Sequence, residues 1–131
     1  MILADTDVLI DFLSGSQPMA DQVMEYVQSD QLQTSAVSCF ELLSGAREGK
    51  RGNNIRRLVA AVPVLPLDRD AASRAAVVRQ QSAQKGFSMG MADSLIAGIA
   101  LANGLPLLTR NRKHFEAVEG LSLIPISRHA G

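Results

Sequence analysis

The chain has 131 residues, 47% of them apolar, and its 13 basic side chains balance 13 acidic ones. This predicts one globular domain over residues 1–131 and excludes a disordered or fibrous chain. Neutrality does not exclude a polyanionic partner, because ten of the 13 bases are arginine and the bases cluster. Arg47, Lys50, Arg51, Arg56 and Arg57 fall in one stretch with Glu48 as its only acid, and Arg110, Arg112, Lys113 and His114 form another. The lone Cys39 rules out an intramolecular disulfide and reads as a small buried thiol, which fits a reducing compartment. Acids interrupt the first apolar run, so no signal peptide is predicted. Asn103, Gly104 and Pro106 interrupt the stretch 94–109, so no membrane span is predicted either. The expectation is a soluble cytoplasmic protein.

In chain order, residues 1–4 read as a strand, followed by a loop or helix that carries Asp11. Residues 19–28 read as a helix with Met19, Val23, Met24 and Val27 on one face. A second strand is predicted at 32–35. A helix over 37–48 follows, with Ser35 or Ser38 as its cap and Gly49 as its stop. A basic helix over 53–61 leads to a strand at 62–67. Asp68 or Asp70 caps a long helix to Lys85, and Ser88 caps a helix over 90–102 that Asn103 and Gly104 close. Residues 106–109 and 121–126 supply the fourth and fifth strands. Strands alternating with helices predict an α/β fold, a three-layer α/β/α sandwich around a central parallel sheet of about five strands.

The first segment poses a chemical problem. Asp5, Asp7 and Asp11 sit among Ile2, Leu3, Val8, Leu9, Ile10, Phe12 and Leu13. Carboxylates are seldom buried unless paired or bound to a metal. Ligands of an open parallel sheet bind beyond the carboxyl ends of its strands, and Asp5 and Asp7 fall where the first strand ends. Asp11 is expected to serve local structure. Two further acids lie on apolar helices: Glu41 in "SCFELLSGA" and Asp93 in "GMADSLIAGIALA". Taken singly, Glu41 reads as a solvent-facing glutamate or a ligand, and Asp93 as a helix N-terminal acid or a ligand. Brought together, such acids repel one another unless a cation joins them. With no His or Cys beside them they select a hard ion, Mg²⁺ or Mn²⁺. Such ions serve phosphodiester chemistry, and the flanking bases suit a nucleic acid.

Four segments carry a resemblance: "ADTDVLIDFL" at 4–13, "CFELLSGAR" at 39–47, "GMADSLIAGIALANGLPLLTRN" at 90–111 and "KHFEAVEGLSLIP" at 113–125. In this order they resemble a PIN domain, and more narrowly the VapC toxins of toxin–antitoxin pairs. The resemblance implies an Mg²⁺- or Mn²⁺-dependent endoribonuclease with Asp5, Glu41 and Asp93 as its catalytic, metal-binding carboxylates. Asp7 matches a variable polar position near the metal, Asn111 a residue close to it, and Thr6 and Thr109 positions that brace the cluster. It further implies in-line attack of water on tRNA or structured rRNA, leaving 5′-phosphate and 3′-hydroxyl ends and arresting translation. A homodimer is implied, as is a cognate antitoxin that plugs the cleft and forms a hetero-oligomer with the toxin. Arg47, Lys50, Arg51, Arg110, Arg112 and His114 are the candidate RNA contacts.

One position departs from the family pattern. His114 stands where many PIN domains have a fourth acid just before the residue that matches Phe115. A cationic His opposes a second metal, and a neutral one binds through nitrogen, a poor match to Mg²⁺. One well-held ion is therefore expected. His114 reads otherwise as an RNA contact, a proton donor or a plain surface residue. A phosphoacceptor receiver domain leaves Glu41 and Asp93 unexplained. A haloacid-dehalogenase phosphatase wants a Lys and an acidic pair absent here. The alternative that remains is a PIN fold without catalysis, serving as an RNA-binding or protein-docking module.

Overall fold

The computed structural model is described here for residues 1–127. Its elements in chain order are β1 (Ile2–Ala4), α1 (Thr6–Ser14), α2 (Met19–Gln28), β2 (Leu32–Ser35), α3 (Ala36–Ser44) and α4 (Lys50–Ala61). They continue as β3 (Val64–Leu65), α5 (Arg69–Gln84), α6 (Met91–Asn103), β4 (Leu107–Leu108) and α7 (Arg112–Phe115). The four strands form one parallel sheet in the order β3-β2-β1-β4. At the place of the fifth expected strand, Leu123 makes one parallel bridge to Leu107. Leu107 N donates to Ser122 O and Ile124 N donates to Leu107 O, both at 2.9 Å. Pro125 then ends the pairing, since it has no N–H to donate.

Strand side chains alternate between faces, and that alternation divides the core. Ile2, Ala4 and Leu108 join one buried cluster with Val8, Leu9, Met19, Val23, Leu42 and Ile55. Leu3 and Leu107 join the other, with Val78, Ile96, Ile99 and Phe115. Helices therefore cover both faces, which makes the three layers expected of a parallel sheet.

Several boundaries differ from the sequence expectation, each for a local reason. The segment left open as loop or helix is a helix, α1, which starts directly after β1 because Asp5 caps it. α3 stops at Ser44, and Gly49 does not end it. With φ at +109°, Gly49 opens α4 instead, which begins three residues earlier than expected. Ser35 is the residue that caps α3, accepting from Ser38 N at 3.0 Å, and Asp68 caps α5, accepting from Ala71 N at 2.9 Å. Gly90 rather than Ser88 precedes α6.

α5 and α6 approach closely because Gly98 meets Ala71 and Ala75. A Cβ at Gly98 would strike the Ala71 carbonyl and stand 2.7 Å from Ala75 Cβ. Gly98→Ala is therefore expected to cost about 1–3 kcal/mol by overpacking, although alanine is the better helix former by about 1 kcal/mol. Urea unfolding reads this as a lower midpoint at unchanged slope. An unchanged midpoint would show that the two helices separate without loss.

Candidate active site

The site follows from strand register. Ala4 pairs with Leu108 on one side and with Thr34 on the other. The next residues, Asp5, Thr109 and Ser35, thus lie together at the carboxyl edge of the sheet. β1 sits between β2 and β4, so this edge is the point from which the chain winds in opposite directions. Asp5 N donates to Leu108 O at 3.0 Å, which draws its side chain against β4. Asp5 Oδ1 accepts from Thr6 N at 2.8 Å, and Oδ2 accepts from the Thr109 hydroxyl at 2.7 Å. Thr109 Oγ1 accepts in turn from Asn111 N at 3.0 Å.

Asp5 is 4% exposed. Its hydrogen bonds are satisfied but its charge is not. Burial, reinforced by the negative charges of Asp7 and Asp93, pushes its pKa up from 3.8 to about 6, against the opposing bonds from Thr109 and Thr6. Asp7 is also raised, chiefly by burial and further by Asp11, although the N–H and charge of Arg110 oppose the shift. Arg110 N donates to Asp7 Oδ2 at 3.0 Å. Asp7 Oδ1 is buried with no hydrogen-bond partner among the described residues.

The other acids are held by neighbours. The Thr6 hydroxyl is the donor to Glu41 Oε1 at 2.6 Å and to Ser38 Oγ at 2.8 Å, so its one proton is shared between the two acceptors. Thr6 thus couples α3 to the turn that Asp5 caps. Asp93 lies in the first turn of α6, and its Oδ2 is 2.9 Å from His114 Nδ1. Asp11 pairs with Arg110, Oδ2 to Nε at 2.8 Å, fastening the loop after β4 onto α1. That is the local role expected for it.

The expected residues do converge on one edge: Asp5, Thr6 and Asp7 after β1, Glu41 on α3, Asp93 on α6, Thr109 and Asn111 after β4. Among the described residues, however, no three acidic, histidine or cysteine side chains stand close enough to hold a metal by themselves. Hydrated hard cations such as Mg²⁺ do not require a closed cage of protein ligands. Such ions keep several waters and take one or two carboxylates, with substrate phosphate completing the shell. The carboxylate and hydroxyl donors present are oxygens, burial raises both Asp5 and Asp7, and Asp7 presents an unpartnered buried oxygen. On these counts the residues fit a hydrated hard cation.

The two basic clusters behave differently. Lys50 and Arg51, exposed at the start of α4, border a groove floored by Ile10, Leu13, Leu42 and Ile55. Arg47 is exposed nearby, its carbonyl accepting from Arg56 Nη2 at 3.3 Å. In the second cluster Arg110 pairs with Asp11, Arg112 reaches Ile124 O at 2.8 Å and His114 meets Asp93, although Arg110 and His114 stay half exposed. The sequence reading passed over Ser38 and Phe87. The first was visible only as an alternative cap, and the second, 6.3 Å from the His114 ring, carried no signal.

The raised Asp5 pKa fixes a sign for pH dependence. A carboxyl raised in the folded state favours folding fully below its unfolded pKa and loses that contribution as pH climbs through the folded value. In chelator, stability is expected to fall by up to about 3 kcal/mol between pH 4 and 6 from this group. Asp5→Asn should flatten that fall and unfold at higher denaturant than wild type at pH 7.5. A less stable Asn variant would mean that the Thr109 bond outweighs the cost of burying the charge.

Comparison with known proteins agrees with this geometry. The PIN domain family model matches residues 2–121. The VapC ribonuclease Y4jK of Sinorhizobium fredii is 32% identical over 137 aligned positions, covering 95% of this chain and 96% of that protein. The tRNA(fMet)-specific endonuclease VapC of Shigella flexneri is 29% identical, covering 91% and 92%. Among solved structures, DNA-bound VapBC from Salmonella typhimurium superposes with a TM-score of 0.80 at 25% identity, covering 95% of this chain and 98% of that one. A family model spanning nearly the whole chain, on a fold that gathers its acids at one sheet edge, is decisive: the chain belongs to the PIN domain family.

Proposed function

We propose that this protein is an endoribonuclease, the toxin of a type II toxin–antitoxin pair, that cleaves tRNA or structured rRNA in the cytoplasm with Mg²⁺ or Mn²⁺. The observation that carries the reading is Asp5: a buried carboxylate, hydrogen-bonded on both oxygens yet raised to about 6 by burial and by the charges of Asp7 and Asp93. A fold that served only as a docking module would gain stability by losing that charge. Retaining it is intelligible if a cation binds there. The relatives named as ribonucleases and as a tRNA(fMet)-specific endonuclease support the reaction class.

Asp5, Glu41 and Asp93 would hold the ion, with Asp7 and Asn111 beside it. When bound, it supplies charge stabilisation for water attack on a phosphodiester. The chain supplies orientation. Thr109 and the Thr6 N–H fix the Asp5 carboxylate, and the Thr6 hydroxyl fixes Glu41, so little reorganisation is needed on binding. Lys50 and Arg51 draw phosphates to the cleft without reading bases. The partner is a cognate antitoxin, and the groove those bases border offers apolar floor and positive rim to its peptide. VapBC and FitAB complexes are the solved structures that support this partnership. Phe40, 71% exposed, and Met91, 64% exposed, border a second apolar surface with Leu67 and Leu95, which suits the homodimer. Among the described residues no helix is long and apolar enough to cross a membrane.

Purified, antitoxin-free protein incubated with small RNA should yield discrete fragments with 5′-phosphates in Mg²⁺ or Mn²⁺ and none in chelator. Asp93→Asn should lower the rate by about 10²-fold or more while leaving the fold intact. Folded wild type that cuts nothing in either metal would leave the docking module as the better reading. Arg51→Ala should weaken RNA binding modestly and reduce the slope of log K against log salt by about 1. An unaltered slope would remove Arg51 from the phosphate path.

A further inference from the structure

We propose that His114 is a positioning residue for Asp93, holding one carboxylate oxygen so that the other faces the cation; the inference rests on the cation reading above. The backbone of His114 is pinned on both sides. Its neighbour Phe115 is fully buried in the core, and His114 N donates to Asn111 O at 3.0 Å. Glu116 N closes the turn onto Arg112 O at 2.8 Å, while the Arg112 guanidinium reaches Ile124 O. α7 therefore presents the imidazole to α6 from a fixed base.

The contact itself is short, 2.9 Å from Nδ1 to Asp93 Oδ2. An ionised carboxylate only accepts, so Nδ1 is the donor. The Phe87 ring lies beside the imidazole, with centroids 6.3 Å apart and planes tilted by 50°. Asp93 Oδ2 is thus engaged, and Oδ1 makes no hydrogen bond recorded among the described residues. A fourth acid at position 114 would repel Asp93 and add a cation ligand. The histidine does the reverse: it orients an existing ligand and adds no negative charge. Partners of this kind commonly set metal affinity, and their removal costs about 10–100-fold.

Isothermal titration of the folded chain with Mn²⁺ alone tests this without recourse to activity. His114→Ala is expected to bind Mn²⁺ about tenfold more weakly. His114→Asn, whose amide nitrogen can occupy the place of Nδ1, should restore affinity to within roughly twofold of wild type. His114 is half exposed, so both variants should keep the wild-type Tm in chelator. Equal or tighter Mn²⁺ binding by the Ala variant overturns the inference, as does equal weakening in both variants. Wild type that takes up no Mn²⁺ removes the cation reading itself, and the two failures are distinguishable.

Discussion

The bond from the Thr109 hydroxyl to Asp5 Oδ2 ties the carboxyl ends of β1 and β4 together across the one edge where the sheet changes winding direction. Everything functional is hung from it. The pairing of Ala4 with Leu108 brings the two residues level, and the Asp5 N–H to the Leu108 carbonyl keeps them so. The same carboxylate caps α1, so the helix that carries Asp7 and Asp11 starts from a fixed point. The Thr109 oxygen also receives Asn111 N, which turns the chain toward α7 and His114. One carboxyl group thus sets the direction of a strand exit, a helix start and a loop.

That arrangement is electrostatically uncomfortable. Two hydrogen bonds stabilise the Asp5 anion, yet burial and two neighbouring acids outweigh them. The surrounding structure tolerates the cost because it is packed on both faces of the sheet. Leu3, Ala4, Leu107 and Leu108 are fully buried around the edge, so the strand ends cannot splay to let water in. The Asp5 charge is therefore held at a local cost in stability, the usual tension between a site and its scaffold.

Asp5, Asp7, Asp11 and Asp93 and the bases near them divide into two kinds. Asp11 and Arg110 neutralise each other and close a loop. Asp7 takes an N–H from that loop on one oxygen and keeps the other unpartnered. Burial leaves Asp5 and Asp7 raised at the sheet edge, while Lys50 and Arg51 lie exposed at the start of α4 beside an apolar groove. His114 sharpens the pattern, because it keeps the count of carboxylates at the far side of the cleft from rising.

Much of this was legible in the sequence. Short apolar runs alternating with longer helical ones predicted a parallel sheet with two covered faces, and the four segment motifs pointed to a PIN domain with Asp5, Glu41 and Asp93 in view. These are local or pairwise patterns, carried by residue type and spacing. The boundaries at Gly49 and Gly90 were not legible, and the segment between Asp5 and Ser14 was left open between loop and helix. They depend on backbone angles and on Asp5 acting as a cap while also serving the site. The sequence could not show that Arg110 and Arg112 are spent on Asp11 and Ile124 O, or that His114 meets Asp93 and Thr6 meets Glu41. Partners 12 to 99 positions apart are matched only when strand register brings their loops to one edge. Chain order determined which groups are present; tertiary structure decided which charges remain unpaired, because pairing depends on distances of about 3 Å that no spacing encodes.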